Sequence, residues 1–172
     1  MQAVEDIVYF EFERDFVEEN VRCIPMIIRF KMDKAGIKLE LSVWSRFSSE
    51  ERIELANRPC NNVEEVNEYR NYLSALVRNY AGKEATDLKV EQHPAWADFE
   101  NINETLKEKA NEFDWEISVM QWKNLTNLQR FVLLKLCRPG HENKNFPKAM
   151  KEFGLIESIP PRSGAMFIKR RI

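Results

Sequence analysis

The sequence predicts a mainly α-helical fold: a single domain of about five to six helices, arranged as two similar helix–loop–helix halves behind a short extended N-terminal arm. Three observations carry this. Apolar residues recur at helical spacing, most clearly Val63, Val66, Tyr69, Leu73, Leu76, Val77 and Tyr80. Helix openings are spelled as capping boxes, Ser48-Ser49-Glu50-Glu51 and Thr126-Asn127-Leu128-Gln129. Only five glycines occur (Gly36, Gly82, Gly140, Gly154, Gly164), so the glycine-rich tight turns that join short strands are missing. At 172 residues one domain is the default, burying ~70% of the surface that the unfolded chain exposes.

From the N-terminus, residues 7–16 alternate Val8, Phe10 and Phe12 with Tyr9, Glu11 and Glu13, which suits a short strand or an extended arm. Phe12 and Phe16 also fit a helical turn. Pro25 stands where the first turn of a helix begins, a position at which its missing N–H costs nothing. That helix runs through Ile27, Ile28 and Met32 to a stop at Gly36. A short helix opens at Ser48 and ends at Pro59, and Asn62 caps the strongest helix, which reaches Gly82. Residues 83–101 read as a connector around His93-Pro94-Ala95-Trp96. Further helices follow about Ile102, Leu106, Ala110 and Phe113, then from Thr126 through an apolar run to Pro139-Gly140, then near residues 147–153.

Two segments share one spelling at identical spacing: Trp44-x-x-Phe47-Ser48-x-x-Glu51-Arg52-x-x-Leu55 and Trp122-x-x-Leu125-Thr126-x-x-Gln129-Arg130-x-x-Leu133. Similar runs precede them, Glu40-Leu41-Ser42-Val43 and Glu116-Ile117-Ser118-Val119, the second with a two-residue insertion before its tryptophan. The Phe or Leu before each cap can staple back on the fourth helical residue, while Ser/Thr and Glu/Gln satisfy backbone N–H groups of the first turn. The upstream tryptophan can cover the helix entry. These features predict two halves about a pseudo-twofold, bridged by the helix of residues 62–82. Two well-capped helices account for the same spelling without any function.

Composition excludes several functions. The glycines lie ten or more residues apart, which removes both the GxGxxG fingerprint and the phosphate loop. No apolar run approaches the ~20 residues of a membrane span, and the acidic start is no secretion signal, so a cytoplasmic protein is expected. Three widely spaced cysteines (Cys23, Cys60, Cys137) make no disulfide framework. They make no zinc site either, which wants four thiolate or imidazole ligands, usually as close pairs. No metal and no cofactor are expected.

The 26 Lys and Arg nearly balance 28 Asp and Glu, for a net charge of −2. The ends differ: residues 1–20 hold seven acids and one base, residues 138–172 eight bases and three acids. The two ends can pair within the fold, or Lys144, Lys148, Lys151 and the Lys169-Arg170-Arg171 tail can form a basic face for an acidic protein partner. Nucleic acid is not expected, since neither capped helix opens with a base-reading cluster.

The most suggestive stretch is Arg138-Pro139-Gly140-His141-Glu142-Asn143-Lys144-Asn145-Phe146. It packs a base, an acid and two amides around a Pro-Gly break after an apolar helix. Rigidly held loops often carry sites. Its polar side chains can cap neighbouring helices, the plainest reading; next to that they can bind a partner, and last serve a catalytic or metal role.

Over residues 8–155 the chain resembles the nitrate-reductase-associated proteins, found mostly with cyanobacterial nitrate assimilation genes. The resemblance rests on Phe10-Glu11-Phe12-Glu13-Arg14-Asp15-Phe16, Cys23-Ile24-Pro25-Met26 and Asp33-Lys34-Ala35-Gly36-Ile37-Lys38-Leu39. It continues through Trp44, Glu51-Arg52, Leu125-Thr126-x-x-Gln129-Arg130-Phe131, the stretch 138–146 and Lys151-Glu152-Phe153-Gly154-Leu155. It implies a chaperone-like accessory protein, needed for activity or maturation of ferredoxin-dependent nitrate reductase and not the reductase itself. No catalytic residues come with it. The expected organisation is an acidic arm (1–20) packed on the domain, a helical nitrate-reductase-associated domain (21–156) and a basic tail (157–172). The expected partner surface for nitrate reductase is Arg138, His141, Glu142, Asn143, Lys144 and Asn145. A rival reading is a small protein handling metal or sulfur through Cys23, Cys137 and His141.

Overall fold

The computed structural model describes residues 9–18, 23–139 and 144–157. A 3-10 turn at Glu11–Glu13 leads into α1 (Arg14–Glu18), followed by α2 (Met26–Ala35) and the two-residue strand β1 (Ile37–Lys38). Then come α3 (Leu41–Trp44), α4 (Ser49–Asn57) and α5 (Val63–Ala81). Strand β2 (Thr86–Asp87) pairs antiparallel with β1, Ile37 opposite Asp87 and Lys38 opposite Thr86. A 3-10 turn at Ala95–Ala97 precedes α6 (Glu104–Asn111), α7 (Val119–Asn124), α8 (Asn127–Leu136) and α9 (Phe146–Glu152). The fold is a single, mainly helical domain.

Helix limits follow the local chemistry. Ser48 Oγ accepts from the Glu51 N–H while the Glu51 carboxylate accepts from the Ser48 N–H, and Thr126 with Gln129 repeats the exchange. Asn62 caps α5, and Gly36 and Gly82 end α2 and α5 in left-handed conformation. The extended reading of the N-terminal arm is corrected over residues 11–18, which are helical. The acids Glu13 and Glu152 hold that turn by accepting its backbone N–H groups, which an extended arm would direct elsewhere. Pro25 is also corrected: it is the residue before α2, with φ −55° and ψ 147°. Short helices α3 and α7 were not expected, because four to six residues carry little periodicity.

Apolar side chains form two cores. The first joins Ile28, Ile37, Trp44, Leu55, Tyr69 and Leu73; the second joins Phe12, Leu106, Trp122, Phe131, Leu133, Phe146 and Met150. Each contains one copy of the repeated spelling, and the copies agree in structure. The cap of α3, Glu40, and the cap of α7, Ser118, both stand four residues before the tryptophan, so no insertion is needed between the halves. The residue four positions into α4 and α8 is an arginine, not an apolar staple, and its guanidinium lies over the tryptophan: Arg52 on Trp44 at 5.3 Å, Arg130 on Trp122 at 5.7 Å.

The bridge between the halves is α2, not α5. All of the buried residues of α5 belong to the first core. Along α2, Ile28, Met32 and Ala35 enter the first core and Met26 the second. Phe30 meets Trp96 at 5.0 Å and Phe131 at 5.1 Å, and Asp33 pairs with Lys135 of α8 at 2.9 Å.

Candidate functional site: a charged loop beside a groove

The loop that the sequence singles out is anchored at both ends. Before it, Leu136 and Cys137 are buried; after it, Phe146 is fully buried near Phe113 (6.0 Å) and Trp115 (6.5 Å). Between these anchors Arg138 and Lys144 are exposed and Asn145, the residue before α9, is half-buried. His141, Glu142 and Asn143 lie outside the described residues.

Arg138 also lines a groove of about 830 Å³ between α2, α8 and the connector of residues 88–97. Leu88, Val90, Trp96 and Phe131 supply apolar surface there. Asp33, Lys34, Lys89, Glu91, Lys135 and Arg138 supply charge, four cations to two anions on a chain of net charge −2. The connector is held by contacts at the end of α2. Arg70 donates to the carbonyls of Ala35 (2.8 Å) and Gly36 (2.9 Å), and its other nitrogen pairs with Asp87 at 2.5 Å. A Cβ at Gly36, which has φ +69°, would stand 2.8 Å from Val90 Cγ2 and 3.0 Å from the Leu88 carbonyl. Only glycine lets the connector lie this close.

The connector is the element that sequence reading missed as part of a site. Its signal is the alternation Leu88-Lys89-Val90-Glu91, which interleaves apolar and charged side chains along the groove.

Two lysines expected on a basic face, Lys148 and Lys151, belong to α9. Both are exposed and line a shallow hollow together with Glu11 and Asp15. The neighbouring Glu152 carboxylate accepts from the N–H groups of Glu11 (2.8 Å) and Phe12 (3.1 Å).

Two of the three cysteines are buried. Burial pushes the Cys137 thiol up to about 12, so it holds its proton at neutral pH. Burial also raises the Cys60 thiol, against the opposing charges of Lys34 and Lys31. Cys23 is half-buried, its sulfur 3.7 Å from an Arg29 Nη2. Among the described residues, no group of three or more His, Cys, Asp or Glu could hold a metal ion. No helix among them is long and apolar enough to cross a membrane.

Fold and site together define a small, mainly helical domain whose surface presents an anchored charged loop beside a groove. The chain belongs to the family of conserved nitrate reductase-associated proteins, whose family model matches residues 9–153. Both loop and groove fall within that match. No curated protein and no solved structure matches the chain.

Proposed function

We propose that this protein is a cytoplasmic, non-enzymatic accessory protein that binds nitrate reductase and supports its activity or maturation by protein contact. The observation that carries this reading is membership of the nitrate reductase-associated family over residues 9–153. The surface fits the role. Arg138, His141, Glu142, Asn143, Lys144 and Asn145 form a short charged segment whose described ends are fixed by buried Leu136 and Phe146. The half-buried Trp96 and exposed Leu88 and Val90 of the adjoining groove offer apolar contact area, which interfaces concentrate at their centres.

The test replaces His141, Asn143 and Lys144 together by Ala. The buried anchors Leu136 and Phe146 are left in place, so protein level and unfolding midpoint should stay unchanged. Nitrate reductase activity in cells should fall, and so should co-purification of the reductase with the tagged chain. A single hot-spot residue is worth about 2 kcal/mol, or roughly thirtyfold in affinity. Full activity and full co-purification at normal protein level would remove this surface from the reading.

A further inference from the structure

The two halves share a helix pair but differ in what satisfies it. In the second half Trp122 Nε1 donates to the Asp98 carbonyl at 2.7 Å and Arg130 Nε donates to the Trp96 carbonyl at 2.8 Å. Residues 94–98 thus lay two main-chain carbonyls, two residues apart, on the indole and the guanidinium. The corresponding atoms of the first half, Trp44 Nε1 and Arg52 Nε, are buried and have no acceptor among the described residues. Trp44 itself is 2% exposed. Arg58 Nε and Tyr69 Oη, in the same half, are likewise buried and unpaired. A buried donor without an acceptor costs about 1–3 kcal/mol, so two at equivalent positions of a repeat point to a missing chain segment.

Charge indicates what kind of segment. In the second half, residues 118–135 carry three bases and no acid, and the segment laid over them (94–101) carries Asp98 and Glu100; Lys123 meets Glu100 at 3.8 Å. In the first half, residues 40–57 carry four acids and two bases, so the complementary segment is basic. Residues 158–172 carry Arg162, Lys169, Arg170 and Arg171 and no acid, with the apolar run Ala165-Met166-Phe167-Ile168 between them. Fifteen extended residues reach about 50 Å, more than the roughly 40 Å diameter of a globule of this length.

We propose that residues 158–172 dock on α3 and α4, placing two main-chain carbonyls on Trp44 Nε1 and Arg52 Nε as residues 94–98 do on Trp122 and Arg130. The half-buried Arg52 side chain lies over the Trp44 ring, so the two donors stand together as those of Trp122 and Arg130 do.

Indole N–H resonances of nitrogen-labelled protein test this, comparing the full chain with a chain ending at Glu157. Truncation should shift the Trp44 resonance and speed its hydrogen exchange about tenfold, the equivalent of one net hydrogen bond. Trp122 should stay in place, and the synthetic peptide of residues 158–172 should restore the Trp44 signal. If the shortened chain fails to fold, the full chain carrying Phe167→Ser and Ile168→Ser gives the same readout. A Trp44 signal unmoved by truncation or substitution overturns the proposal. So does one that moves only with protein concentration, which indicates a second copy, or only on adding nitrate reductase, which indicates a partner segment.

Discussion

Glu13 and Arg130 are the two charged side chains buried among the described residues, at 5% exposure each. Arg130 is held by carbonyls: beyond Trp96, it donates to those of Leu125 (2.8 Å) and Trp122 (3.1 Å), and to Asn127 Oδ1 (2.5 Å). It ties the turn before α8 to the connector. Glu13 ties the N-terminal turn to α2, its two oxygens accepting from the N–H groups of Phe10 (3.0 Å) and Met26 (2.7 Å). Pro25 offers no N–H, so this acid from outside the helix serves the first free donor of α2. Burial pushes the Glu13 carboxyl above the ordinary carboxylate range, although both N–H groups and Arg29 pull it down. With the folded value above the unfolded one, about 4.3, the folded state binds more protons between the two. The contribution of Glu13 to stability is therefore complete below about pH 4 and is lost as pH rises through the folded value. Glu13→Gln cannot titrate, and its amide faces one N–H with another donor, at a cost of about 1–3 kcal/mol. Urea unfolding of both proteins from pH 4 to 8 should show their difference in stability narrowing as pH rises. A constant difference would show that the carboxyl does not titrate in the fold.

Among the elements, capping is the local chemistry that the sequence states most openly. Ser48, Asn62, Asn103, Ser118 and Thr126 each accept a backbone N–H of the helix they precede. Helix ends without such residues are completed from a distance. Lys31 of α2 donates to the carbonyls of Ala56 (2.5 Å) and Arg58 (2.7 Å), and Lys34 to that of Cys60, closing the C-terminal end of α4. No spacing rule shows that, because 25 or more residues separate donor from acceptor. Ser48→Ala and Thr126→Ala should each cost about 1 kcal/mol. The two caps serve different cores, so their losses should add in the double variant. Thermal unfolding of the four proteins checks both statements, and marked non-additivity would mean that α4 and α8 are coupled.

At the scale of the whole molecule, α2 decides how the halves behave. It contributes Ile28 and Met32 to one core, Met26 and Phe30 to the other, and the Asp33–Lys135 pair across them. Neither core is complete without it, so the two should unfold as one. Variants in which either Trp44 or Trp122 is the sole tryptophan (the remaining tryptophans replaced by Phe) should report the same urea midpoint. Two separate midpoints would make the halves independent units. The same helix forms a wall of the groove beside Arg138, so the candidate surface exists only where the halves meet.

The sequence by itself determined the helical class, the caps, the two copies of the Trp–Arg spelling and the family resemblance. These are legible because capping and periodicity act over three to seven residues. The anchored loop was legible too, from the change of Leu136-Cys137 into charged residues and back to Phe146. Tertiary structure decided which helix bridges the halves, because spacing shows that a helix has an apolar face and only packing assigns what that face meets. It also turned residues 11–18 from an arm into a helix, through carboxylates supplied by Glu13 and by Glu152, 140 residues away. And it alone revealed that Trp122 meets a carbonyl while Trp44 meets none among the described residues, since the acceptor comes from a loop that the spelling around either tryptophan does not contain.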